Sequence, residues 1–264
     1  MAQKQELIKQ IVRFGNSAGV LLPREWLNGK ARIELVEKPI NIKQDVLKII
    51  EPYLTEIMGI YLIGSYAREE ETSESDVDIL IITNKLDKKI VRGKYNITMV
   101  SEGGLQRTLK NTAFPIIPML LEAKTIINQP ILKGYVSRAK LTKNNSKIII
   151  ELARSALNVQ KSFLKLDKEM KTEVEDAVTY SMVLQIRSMY LIDCLKSNKK
   201  QSTKQLKELI SKVSGSLNAY EGYLRVKNNK KGKNNLPLEE AEKLISYLEK
   251  QIEKEEKWLK KRKN

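Results

Sequence analysis

Two apolar runs of strand length, Ile60-Tyr61-Leu62-Ile63 and Ile79-Leu80-Ile81-Ile82, bracket a polar loop, and the residues at their facing ends constrain the fold most. The first run closes on Gly64-Ser65, and the second opens with Asp76-Val77-Asp78. Side chains alternate along a strand, so Asp76 and Asp78 project together while Val77, Ile79 and Ile81 face the other way. Two carboxylates on one face of a greasy strand repel each other and lose hydration; a cation between them relieves both costs. Gly-Ser at the mouth of the preceding strand lets backbone N–H groups and a hydroxyl approach an anion. The two ends, separated by Tyr66 to Ser75, describe a corner for a metal ion and a triphosphate.

This ordered string resembles the polymerase-beta-like nucleotidyltransferase superfamily, especially its minimal and kanamycin nucleotidyltransferase members. The resemblance implies an NTP substrate and Mg²⁺ held by Asp76 and Asp78, which are also the catalytic pair. It places Gly64 and Ser65 on the nucleotide phosphates. Arg68, four residues past Gly64, could reach a phosphate or pair with the acidic loop Glu69 to Glu74. Superfamily members carry a third carboxylate on the strand corresponding to Tyr95–Val100. Here neither face of that strand has an acid: one presents Asn96, Thr98 and Val100, the other Ile97, Met99 and Ser101. Glu102, just beyond it, is the nearest candidate for the third catalytic group. Glu122 is a further acid, read as one half of a surface ion pair.

Charge bears on the partner. The chain has 48 Lys and Arg against 32 Asp and Glu, a net +16, most of it after residue 140. A basic domain beside a nucleotide site suits a phosphate-rich acceptor such as nucleic acid, although a generally lysine-rich composition accounts for the excess equally well. No histidine is present, which removes histidine bases, histidine metal ligands and Ser-His-Asp chemistry. The single cysteine, Cys194, reads as a reduced core residue. No apolar run approaches the ~20 residues that would span a bilayer. Gln3, Lys4, Gln5, Glu6 and Lys9 interrupt any signal-peptide layout. The expectation is a cytoplasmic protein with no membrane partner.

The chain reads as three parts. Residues 1–38 form a small β module, with strands at Gln10–Phe14, Val20–Leu22 and Ala31–Glu37 and a proline-opened helical turn at Pro23–Leu27. The string from Arg13 to Leu27 resembles AbrB/MazE-type modules, which implies a homodimer through hairpin exchange and DNA binding. Residues 39–140 form the nucleotidyltransferase domain. Within it a helix from Ile42 is broken at Pro52, Lys85–Lys89 is turn-like, and a helix opens at Gly104. Residues 141–264 are helical, with helices at Ser146–Met170, Thr172–Ser197, Thr203–Val213, Leu217–Asn228 and Leu238–Lys261, and a basic loop at Asn228–Asn235. Tyr180, Arg187, Tyr190, Tyr220, Tyr223 and Arg225 read as bundle core, with base stacking as the alternative.

The fold class expected is α+β: a small mixed-sheet core with flanking helices, preceded by the β module and followed by an all-α bundle. The expected activity is transfer of an NMP from Mg-NTP to an acceptor hydroxyl, on nucleic acid, a protein side chain or a small hydroxylated molecule, with release of pyrophosphate. The alternative is a non-catalytic DNA-binding regulator or antitoxin-like protein with a degenerate nucleotidyltransferase core.

Overall fold

Contacts divide the chain at Asn41 into two units, Met1–Asn41 and Ile42–Asn264. The structure, a computed structural model, describes residues 6–35, 40–230 and 235–261. The first unit contains one hairpin, β1 (Val12–Phe14) and β2 (Ser17–Gly19), turned at Gly15 with φ +58°. A short 3-10 turn follows at Arg24–Trp26. The expected strand at Val20–Leu22 is not formed, because the return strand is Ser17–Gly19, the segment expected as the turn. Residues 31–35 are not strand either, and the rest of that expected strand, Val36 and Glu37, lies outside the described residues. No described residue of this unit is buried.

The second unit opens with α1 (Ile42–Ile50), which passes at Pro52 into a 3-10 turn over Glu51–Glu56. Next come β3 (Ile57–Ile63), the five-residue α2 (Gly64–Arg68) and β4 (Val77–Thr83). Then β5 (Lys88–Arg92) and β6 (Tyr95–Ser101) form a hairpin, followed by α3 (Glu102–Asn111) and α4 (Ile116–Glu122). β7 (Lys124–Ile127) and α5 (Gln129–Arg138) complete the core. The five strands lie in the order β5-β6-β4-β3-β7, with β4 and β6 parallel and the other pairs antiparallel. The alternation in β4 sorts its residues between two cores. Val77, Ile79 and Ile81 pack with Val46 and Ile50 of α1, while Leu80 and Ile82 pack with Leu105, Ile117 and Leu120 on the opposite face.

The rest of the chain is a bundle of α6 (Lys143–Met170), α7 (Asp176–Lys196), α8 (Thr203–Ser214), α9 (Asn218–Lys227) and α10 (Leu238–Lys260). Local chemistry sets these ends. Thr142 and Asn145 make a reciprocal capping box for α6, Ser202 caps α8, and Gly215 at φ +98° ends α8. Phe114, Leu141 and Ile149 pack against both the bundle core and the α3–α5 side of the sheet, so the two regions share side chains. Tyr180 stacks on Tyr223 at 5.2 Å, and Tyr220 and Tyr223 are both buried. Those tyrosines serve as bundle core. Cys194 is buried and free, as read from the sequence. Among the described residues no helix is long and apolar enough to cross a membrane.

Candidate active site

The sheet register builds the corner. Ile63, the last residue of β3, pairs with Asp78 on β4, so the Gly64-Ser65 turn begins beside that carboxylate. Gly64 sits at φ +73°, where other L-residues are strained. A Cβ there would lie 2.6 Å from Asp78 Oδ2, so backbone conformation and space both demand glycine. Asp76 stands one residue before β4, exposed, two positions from the half-buried Asp78. Both aspartates and the Gly-Ser turn are therefore brought to one corner.

On the far side of Asp78 the parallel register places Asn96 of β6 directly opposite. Its Nδ2 donates to Asp78 Oδ1 at 3.0 Å, while its own buried carbonyl oxygen has no hydrogen-bond partner. Burial pushes the Asp78 carboxyl above its ordinary value, and the charges of Asp76 and Glu122 add to the rise. The Asn96 amide and the charge of Lys227, at the end of α9, oppose it. A site crowded with negative charge, beside an orphan carbonyl oxygen, offers the hard oxygen donors that suit Mg²⁺. Among the described residues no group of three or more acidic, His or Cys side chains is placed to hold a metal. The protein thus offers the two aspartates, with phosphate oxygens and water left to complete the shell.

Glu102 is not part of this corner, which corrects the sequence expectation. It opens α3 at the opposite end of β6, where Ser101 pairs with Thr83. That pair lies five residue steps along the strands from Asn96 and Asp78, about 17 Å at the usual rise. Glu102 Oε1 instead accepts from the Tyr135 hydroxyl at 3.2 Å. The residue facing Asp78 from β6 is Asn96.

Glu122 belongs to the corner, and is not half of a surface pair. Its side chain is only 9% exposed. Oε1 accepts from the Gly64 backbone N–H at 2.8 Å, and Oε2 accepts from Arg68 Nη1 at 2.5 Å and from Gln201. The Gly64 N–H, expected on a phosphate, is therefore held by a carboxylate. Arg68 pairs with acids, binding Glu70 through Nε at 2.9 Å as well as Glu122. Ser65 lies half-buried in the first turn of α2. No local sequence signal leads to Glu122, because the strand that brings the end of α4 beside β3 is β7, which carries no readable pattern.

The acidic loop works as a set of ties. Glu69 pairs with Lys124, and Glu74 with Lys230 at 2.7 Å. Glu70 reaches the start of α8, accepting from the Ser202 hydroxyl at 2.6 Å and from the Thr203 N–H at 2.9 Å. Burial raises the Glu70 carboxyl, but these bonds and Arg68 outweigh it and hold the group down at about 2. A depressed carboxyl stabilises the fold above its unfolded value near 4.5, and that contribution fades as pH falls toward 2. Glu70→Gln is expected to cost about 2–3 kcal/mol at pH 7. Urea melts should show the gap to the parent closing steadily as pH is lowered from 4.5 toward 2. An equal gap at pH 7 and pH 3 would contradict it.

Residues 44–136 match the family model described as polymerase beta, nucleotidyltransferase. No curated protein matches the chain. Among the solved structures similar to it are two nucleotidyltransferase-fold proteins. One is a nucleotidyltransferase-like protein from Exiguobacterium sibiricum 255-15, at 13% identity and TM-score 0.37, covering 81% of this chain and 76% of that one. The other is the spectinomycin adenyltransferase AAD(9) from Enterococcus faecialis, solved with ATP and spectinomycin, at 14% identity and TM-score 0.42, covering 80% and 97%. Likeness at that level says nothing about the substrate of this chain. The corner, with Gly64, Asp76 and Asp78, falls inside the matched segment, so it is there that the chain is similar to nucleotidyltransferases of the polymerase-beta type.

Proposed function

We infer that the chain transfers a nucleoside monophosphate from an Mg-NTP to an acceptor hydroxyl and releases pyrophosphate. The observation that carries this is the register pair Ile63–Asp78, which sets an aspartate pair against a glycine-serine turn. Asp76 and Asp78 would hold Mg²⁺, which when bound neutralises phosphate charge as bonds to the α-phosphorus form and break. Ser65 and the turn around it would orient the triphosphate, with Lys227 as a cation on the bundle side. Catalysis of this kind comes from positioning and charge stabilisation. The acceptor oxygen attacks the α-phosphorus and gives up its proton to water, the bond to the bridging oxygen breaks, and pyrophosphate leaves with that electron pair. The net charge of +16 favours a nucleic-acid acceptor over a protein one.

The test uses NTP labelled at either the α- or the γ-phosphorus, with Mg²⁺ and cellular RNA or protein extract. Transfer of α-label without γ-label supports nucleotidyl transfer. Transfer of γ-label, or of neither, overturns it.

One observation favours a second reading. Asn96 stands where an acid is expected, so the domain would bind nucleotide without turnover, and the N-terminal unit would carry a regulatory role on DNA. That unit has no buried residue among those described, so pairing with a second copy would supply the core that a segment this short lacks. NTP binding with no transfer to any acceptor, together with DNA binding, selects this reading.

A further inference from the structure

Helix α6 carries more apolar surface than its own fold uses. Ile150, Ala153, Leu157 and Leu164 face the bundle core and are buried. One flank is tied to α10 by Arg154–Glu256 at 2.8 Å, Lys161–Glu249 at 2.5 Å and Lys168–Glu242. A third face remains. Along it run Ile148, Leu152, Val159, Phe163, Leu166 and Met170, each between 48% and 70% exposed. An edge helix of a bundle needs one apolar stripe; a second one facing solvent lacks a partner.

The spacing of this stripe says what covers it. Leu152, Val159 and Leu166 recur every seven residues, and Ala156, Phe163 and Met170 recur every seven, four positions later. That is the a/d pattern of a helix–helix seam. The stripe is also nearly palindromic about Val159. Ile148 and Met170 lie eleven residues either side and Leu152 and Leu166 seven, while the small Ala156, three residues before, answers the large Phe163, four after. Two copies related by a two-fold axis through Val159 would set Leu152 on Leu166, Ile148 on Met170 and Phe163 over Ala156. Such self-complementarity is what an isologous interface requires.

The area is sufficient. At roughly 60–120 Å² for each such side chain, the stripe presents about 400–700 Å² per copy and about 800–1,400 Å² for two. Patches on monomers seldom exceed about 300–600 Å², and specific interfaces begin near 1,000 Å² in total. The stripe spans about 33 Å of helix, so the surface is long and narrow, the shape of a helix seam.

We propose that α6 is a homodimerisation helix, packing antiparallel on α6 of a second copy across Val159, independently of the N-terminal unit and of the nucleotidyl chemistry.

The full chain tests this. The one native thiol, Cys194, is buried, so an introduced surface cysteine is read without interference. Val159→Cys is expected to give a covalent dimer under mild oxidation. Leu152→Cys alone is expected to give none, because the two positions would lie about 21 Å apart along the seam, beyond the ~7 Å a disulfide spans. Leu152→Cys with Leu166→Cys is expected to cross-link again. By light scattering, Leu152→Glu with Leu166→Glu should halve the mass of the parent with its far-UV dichroism unchanged. A cross-link from Leu152→Cys alone, no cross-link from Val159→Cys, or a parent mass unaltered by the glutamates overturns the proposal.

Discussion

Asp78→Asn is expected to reduce nucleotidyl transfer by roughly 10³-fold, the scale of losing a preorganised charge-stabilising group, while leaving the protein as stable as its parent or more so. The two halves come from the same geometry. Asp78 is half-buried with its carboxyl pushed up by burial and by the charges of Asp76 and Glu122. A carboxyl held above its unfolded value costs stability at neutral pH, because the folded state must keep ionised a group that its surroundings prefer neutral. The asparagine keeps the volume, keeps an oxygen to accept from Asn96 Nδ2, and removes the unfavourable charge. It also removes an anionic oxygen from the pair available to Mg²⁺. The measurement is a label-transfer assay beside a thermal melt, both with and without Mg²⁺. Full activity in the variant would remove Asp78 from the chemistry. A melting point several degrees below the parent would remove the electrostatic account.

Gly64→Ala is expected to cost about 2–4 kcal/mol, through two penalties that can be separated. Leaving glycine at φ +73° costs about 1–2 kcal/mol for an L-residue in the left-handed region. The remainder is the Cβ, placed 2.6 Å from Asp78 Oδ2 and 3.2 Å from its Cβ. Gly93, at φ +56° with open space for 4 Å around the position a Cβ would take, isolates the first penalty. Gly93→Ala should therefore cost about 1–2 kcal/mol and leave transfer untouched. In an Asp78→Ala background, most of the excess cost of Gly64→Ala over Gly93→Ala should disappear, since the clashing oxygen is gone and only the 3.2 Å approach to the Cβ remains. Equal costs for the two glycines in the parent would show that the turn relaxes freely and that its closeness to Asp78 is immaterial.

The sequence was legible where residue types impose local geometry. Alternation in Asp76–Ile82 assigned the two faces of β4, and the structure sorts Val77, Ile79 and Ile81 from Leu80 and Ile82 as expected. The bundle helices begin and end close to their predicted limits, because Thr142, Ser202 and Gly215 are strong caps. Pro52 broke the first helix as expected. The misses share a different cause. β5 (Lys88–Arg92) is an edge strand lined with basic residues, so its first two residues fall in the stretch read as turn-like and the other three carry no expected element. β7 is only four residues long at the opposite edge. Without β7 nothing brings Glu122 to Gly64, and without the β4–β6 register nothing shows that Asn96 faces Asp78 while Glu102 lies at the far end of β6. The approach of Glu122 to Gly64 and the identity of the residue facing Asp78 both depend on which strands are neighbours, a property of tertiary pairing that no local window contains.

Asn96 differs from an aspartate by one nitrogen for one oxygen, and that nitrogen is what donates to Asp78. An acid at the same place would turn an attractive contact into a repulsive one, for a bound cation to offset. With the carboxamide, β4 and β6 stay joined at this point whether or not an ion is present. Folding would thereby need no metal: under the proposed function the nucleotide meets a site already assembled, and a chelator should leave the sheet intact.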